Sequence, residues 1–185
     1  MAEKQSKNKW HTPAERIMML GFAAVILLGT ILLCLPVSAA DGKSVYWLDA
    51  LFTATTSVCV TGLVTVPTAT TWSTFGKIVI LGLIQFGGLG IMACLTMVFL
   101  ILRRKISLQS RKLIQDTYNL PVLKGSVGIV RKLLIGTAAV ELAGAFFYSF
   151  WFVPEYGFWK GIGYSIFHAV SAFCNAGIDL VGEAS

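Results

Sequence analysis

Ala50-Leu51-Phe52-Thr53-Ala54-Thr55-Thr56-Ser57-Val58-Cys59-Val60-Thr61-Gly62-Leu63 is a run of apolar and small residues ending on a glycine, and it occurs twice. Its counterpart is Phe167-His168-Ala169-Val170-Ser171-Ala172-Phe173-Cys174-Asn175-Ala176-Gly177-Ile178. A shift of 115 residues lays Phe52 on Phe167, Ala54 on Ala169, Cys59 on Cys174, Gly62 on Gly177 and Val66 on Val181, with Thr56 on Ser171 and Leu63 on Ile178 as near matches. Self-similarity at a fixed offset marks a repeated structural unit. Each copy reads as a short helix, Trp47–Ser57 or Gly163–Phe173, of roughly three turns. An irregular run ending on the glycine follows each helix.

On either side lie three long apolar runs. Ile17–Leu35 has 19 residues and no charge, Ile78–Leu102 has 25 and none, and Leu133–Val153 is interrupted only by Glu141. About 20 apolar residues cross a hydrocarbon core, so each run is expected to span a membrane. A cleavable signal peptide is the plainer alternative for the first, but its apolar core is too long and Leu33-Cys34-Leu35-Pro36 is a poor cleavage site. The segments Tyr46–Val66 and Gly161–Gly182 are too short and too broken to cross. Irregular backbone is tolerated at membrane depth only where it is buried in protein or lines a water-filled cavity. Passing a dehydrated cation requires a row of backbone carbonyls in place of water. Glycine supplies the dihedral freedom to aim them, and a preceding helix turns its negative C-terminal end toward the ion. A tight turn in an outer loop is the alternative reading for either glycine; the repetition favours a pore.

Composition agrees with a membrane protein. Of 185 residues, 56% are apolar and only 13% charged, against about 25% charged in ordinary soluble domains. The net charge of +6 is topological. Twelve of the 15 Lys and Arg lie in the N-terminal tail (Lys4, Lys7, Lys9, Arg16) or in the connection from Arg103 to Lys132. By the positive-inside rule that face is cytoplasmic, and no nucleic-acid partner is implied. The chain thus divides into a cytoplasmic tail (1–16), a first helix–pore loop–helix repeat (17–102), a basic cytoplasmic connection (103–132) and a second, incomplete repeat (133–185). Ile106–Leu120 reads either as an interfacial helix or as a solvated charged loop. Cys34, Cys59, Cys94 and Cys174 sit in apolar surroundings with no CxxC pair, so neither a disulfide framework nor a zinc site is indicated.

The two stretches quoted first, together with Gln85-Phe86-Gly87-Gly88-Leu89-Gly90-Ile91-Met92, closely resemble the Trk/Ktr/HKT superfamily of potassium transporters. The match looks nearest to KtrB-like subunits, the membrane component of bacterial Ktr potassium uptake systems. The resemblance covers essentially the whole chain and implies an all-α, polytopic, potassium-channel-like fold in a bacterial cell membrane, with a cytoplasmic N-terminus. In that family four such repeats surround one pore and each contributes one filter glycine. By resemblance Gly62 and Gly177 are those glycines, and the carbonyls of Val60, Thr61, Gly62 and Leu63, and of Asn175, Ala176, Gly177 and Ile178, face a potassium ion. The family also implies a homodimer in membrane lipid, a cytosolic nucleotide-binding regulatory subunit of the KtrA/KtrC kind, and uptake that depends on sodium in several members, with no organic cofactor. This chain stops at Ser185, before a fourth span and two further repeats, so it is expected to be a fragment that supplies about half the pore. The family gate then lies outside it.

Other residues carry competing readings. Glu141 is an intramembrane carboxylate, hence a functional candidate, and the preferred plain reading has it accepting hydrogen bonds from the neighbouring repeat's pore helix. His168 stands where the first copy has Thr53 and reads as a buried hydrogen-bonding residue rather than a ligand. Gln85, Gly87, Gly88 and Gly90 suit close helix packing against the pore region. Asp49 and Asp179 either attract cations at the outer mouth or serve as a helix-start and a loop residue. A membrane-embedded enzyme would have to use Glu141, His168 and Asp179, but no nucleophile–base spacing or metal motif joins them, so no enzymatic activity is expected. A non-conducting membrane subunit or truncated product is the remaining alternative.

Overall fold

The structure is a computed structural model and describes residues 14–90 and 126–182. Among the described residues it is all-helical, with an isolated antiparallel bridge between Ala39 and Trp72. The helices are α1 (Ala14–Leu33), α2 (Trp47–Cys59), α3 (Thr68–Thr71), α4 (Thr74–Leu89), α5 (Ser126–Tyr156) and α6 (Phe158–Phe173), with a 3-10 turn at Pro36–Ser38.

The 20 residues of α1 rise about 30 Å, the thickness of a hydrocarbon core. Pro36 opens the 3-10 turn, where a ring without an N–H cannot prolong the helix. The chain then continues through α2, α3 and α4. Ser73 caps α4: its Oγ accepts from the Gly76 N–H at 3.2 Å and donates to the Val37 carbonyl at 2.6 Å. The Ala40 N–H donates to the Thr71 carbonyl and the Ser73 N–H to that of Ser38, both at 2.9 Å. The exit of α1 is thereby tied to the start of α4, with α2 packed against both helices.

Helix α5 begins seven residues before the apolar run at Leu133 and ends two residues after Pro154, whose ring removes one i→i−4 hydrogen bond near the helix end. Gly157 then turns the chain into α6, which packs along α5 and also meets α4. Among the described residues, Val130–Tyr156 is the one helix long and apolar enough to cross a membrane; Met19–Leu33 and Thr74–Leu89 are shorter apolar helices. On α5, Leu142, Phe147 and Trp151 are 68%, 71% and 71% exposed. An exposed apolar face of that kind marks a surface that meets lipid or another protein segment.

One apolar core joins both halves. Leu33, Ala50, Ala54, Val58, Ile80, Leu83 and Ile84 continue into Phe152, Phe167, Val170, Ala176 and Ile178. The short helices extend beyond their expected bounds: α2 runs two residues past Ser57 and α6 starts five residues before Gly163. Cys94, the segment Ile106–Leu120 and the end of the second apolar run from Ile91 to Leu102 lie outside the described residues.

Candidate functional site

Helices α2 and α6 end the same way. The Thr61 N–H donates to the Thr56 carbonyl at 3.0 Å, and 115 residues later the Ala176 N–H donates to the Ser171 carbonyl at 2.7 Å. Beyond each helix the backbone alternates in hand. Val60 and Gly62 have φ of 56° and 75°, and Asn175 and Gly177 have φ of 60° and 67°, with Thr61 and Ala176 between them at negative φ. In an extended strand successive carbonyls point to opposite sides; alternating the sign of φ brings neighbours onto one side. Asparagine visits the left-handed region readily, but a β-branched valine is an outlier there, at a cost of about 1–3 kcal/mol.

The two loops meet at their glycines. A Cβ placed on Gly62 would lie 2.5 Å from the Ala176 carbonyl oxygen and 3.3 Å from the Gly177 Cα. At this contact only glycine satisfies both the positive φ and the backbone approach. Thr61, Leu63, Asn175 and Gly177 are exposed, Val60 and Gly62 half-buried, and Ala176 and Ile178 buried.

Two hydroxyls hold these loops in place, and the reading of the sequence singled them out only as near matches in the repeat. Thr56 Oγ1 accepts from the Leu63 N–H at 3.0 Å and shares a 2.7 Å bond with Thr61 Oγ1. Ser171 Oγ donates to the Ile178 carbonyl at 2.7 Å. Each clamps the residue after the glycine to its own helix. The Ile178 carbonyl oxygen accepts this bond with one of its two lone pairs.

Helix α4 forms the wall behind both loops. A Cβ on Gly87 would collide with the Val58 carbonyl, and one on Gly88 with Cys174 Sγ, so these two glycines do permit close packing. Among the described residues a Cβ on Gly90 meets nothing within 4 Å, and the residue ends α4 at φ 81°. Gln85 Nε2 donates to both Glu141 carboxylate oxygens, at 2.9 and 3.1 Å. The donor to Glu141 thus lies on α4 and not on α2, the first repeat's short helix, as expected: α5 turns its carboxylate toward α4 while packing along α6. Gln85 Oε1 also lies 3.9 Å from Cys174 Sγ.

His168 bridges α6 to the outgoing chain. Its Nδ1 bonds the Tyr164 carbonyl at 2.8 Å, and its Nε2 accepts from the Leu180 N–H at 3.3 Å. Together these require the neutral Nδ1–H tautomer. Asp179 Oδ1 accepts from the Val181 and Gly182 N–H groups, as a loop residue does, and Asp49 lies in the first turn of α2, where the helix dipole favours an acid. Among the described residues no three His, Cys, Asp or Glu side chains gather to hold a metal.

Comparisons with known proteins place the chain in a family. A family model described as TrkH, cation transport protein, matches residues 6–185. The chain is 42% identical over 180 residues to the Ktr system potassium uptake protein B of Bacillus subtilis, covering 96% of this chain and 40% of that protein. It is 43% identical over 181 residues to the potassium/sodium uptake protein NtpJ of Enterococcus hirae, covering 98% of this chain and 40% of that protein. The Ktr system potassium uptake protein B of Vibrio alginolyticus is 35% identical over 181 residues. The chain therefore spans about two fifths of the length of the curated relatives it matches. With a family model covering nearly every residue and relatives above 40% identity, the chain belongs to the TrkH family of cation transport proteins.

Proposed function

We propose that this chain supplies two pore loops of a potassium-uptake protein of the bacterial cell membrane. In this reading α1, α4 and α5 cross the membrane with the N-terminus cytoplasmic. Helices α2 and α6 are re-entrant pore helices, and 17–102 and 133–185 are successive repeats joined by the basic connection 103–132. Potassium passes along the carbonyls of Val60, Thr61, Gly62 and Leu63 and of Asn175, Ala176, Gly177 and Ile178, which replace its hydration shell. The observation that carries the reading is the matched alternation of φ at Val60/Gly62 and Asn175/Gly177, each following a helix C-terminus and each meeting the other at its glycine. The α2 and α6 dipoles add negative potential there.

The names of the relatives support transport rather than catalysis, and that of the Enterococcus protein supports sodium as a second ion. By family membership the intact subunit is a homodimer that works with a cytosolic nucleotide-binding regulatory subunit. The test is growth of a bacterial strain lacking its own potassium transporters. The intact subunit restores growth at low potassium, and Gly62→Asp or Gly177→Asp lowers the potassium-to-sodium uptake ratio by about tenfold or more, the loss of roughly 1.4 kcal/mol of discrimination. Undiminished selectivity in both variants would remove the assignment.

A further inference from the structure

An apolar groove of about 490 Å³ opens between the first turns of α4 and α6, with Ile78, Leu81, Ile166 and Phe167 in its walls and Lys77 and Lys160 in its lining. Both lysines converge on one ring: Lys77 Nζ lies 5.8 Å and Lys160 Nζ 5.6 Å from the Tyr164 centroid. The convergence is notable because cations are scarce on this side. Outside the basic tail and connection the chain has only Lys43, Lys77 and Lys160, and two of these three meet here. Lys77 donates to the Ala69 carbonyl at 2.7 Å, and Lys160 rests on the Tyr156 and Tyr164 rings. Among the described residues no carboxylate pairs with either ammonium. The same end carries Tyr156, Phe158 and Trp159, the last 85% exposed. Tyrosine and tryptophan gather at the level of the lipid headgroups.

We infer that this groove holds an anionic phospholipid, its phosphate between Lys77 and Lys160 and an acyl chain along the apolar wall. Two ammonium groups without a carboxylate call for an anion. A groove of this volume lined by isoleucine, leucine and phenylalanine calls for hydrocarbon. Free phosphate satisfies the first requirement and leaves the second unmet; a protein segment in the groove is distinguished by the experiment below.

Native mass spectrometry of the intact subunit in neutral detergent, with added phosphatidylglycerol or phosphatidylcholine, tests this without reference to transport. The expected result is a single saturable phosphatidylglycerol adduct that survives conditions removing phosphatidylcholine. The double variant K77Q/K160Q is expected to hold it roughly thirtyfold more weakly, since each basic residue contributes about fivefold. Gly163→Leu keeps both lysines and places a side chain in the groove, where a Cβ meets nothing within 4 Å; it is expected to expel the lipid. Inorganic phosphate at equal concentration leaves the adduct intact. The inference is overturned by any of four results: no preference for phosphatidylglycerol, as when a protein segment fills the groove; unchanged preference in K77Q/K160Q; unchanged retention in Gly163→Leu; or displacement by phosphate.

Discussion

At the scale of single residues the most informative pair is Thr56 and Ser171. The same hydroxyl position serves opposite ends of the hydrogen bond, accepting from the Leu63 N–H in one loop and donating to the Ile178 carbonyl in the other. A hydroxyl both donates and accepts, so the sequence match between threonine and serine could not reveal the polarity of either bond. Thr56→Val keeps the shape of the side chain and leaves the Leu63 N–H without its partner, a loss of about 1–3 kcal/mol. The expected outcome is a lower melting temperature for the detergent-purified protein and weaker potassium-over-sodium discrimination, with Thr56→Ser retaining both. A valine variant as stable and as selective as the serine variant would show that the clamp has no role. Val60 is illegible for a different reason: β-branched side chains disfavour left-handed backbone, and only the closure of α2 onto Thr56 and the packing of α4 hold it there.

At the scale of elements α4 is the shared wall, and its glycines are not equivalent. Gly82 faces open space, whereas Gly87 lies against the Val58 carbonyl at the end of α2. Gly82→Ala is therefore expected to be neutral or to stabilise by up to about 1 kcal/mol through helix propensity. Gly87→Val must push α4 off the end of α2 and is expected to cost at least about 1–3 kcal/mol. Thermal unfolding of the two variants side by side checks this; equal melting temperatures would mean that the helix contact is not tight. The glycine cluster from Gly87 to Gly90 was legible as a packing surface, because small residues let helices approach. Its limit at Gly90 was not, since a glycine that ends a helix and one that admits a neighbour look identical in one dimension. The partner of Glu141 was hidden likewise. An intramembrane carboxylate calls for a donor, but the rotation of α5 about its own axis chooses Gln85.

At the scale of the whole molecule the distribution of charge makes a prediction about orientation. Twelve of 15 cations belong to the tail and the connection, and the remaining three, Lys43, Lys77 and Lys160, lie outside both. In a background with the native cysteines replaced, Lys43→Cys is expected to react with a membrane-impermeant thiol reagent in intact cells. Arg131→Cys is expected to react only after permeabilisation. The reverse pattern would invert the topology. The exposed apolar face of α5, with Phe147 and Trp151, is consistent with that placement in lipid.

What the sequence determined by itself was the kind of chain: helical, apolar enough for a membrane, related in pattern to cation transporters, and carrying two glycine-ended segments 115 residues apart. Hydrophobic run length, charge asymmetry and self-similarity are one-dimensional quantities, so one dimension suffices to read them. What only the tertiary structure decided was contact. The approach of Gly62 to Gly177, the hydrogen bond from Ser171 to the Ile178 carbonyl and the meeting of Lys77 and Lys160 at Tyr164 join residues far apart in the chain or fix which way a group points. Those choices follow from the rotation and depth at which helices pack, which depend on side-chain fit across interfaces that no local pattern records.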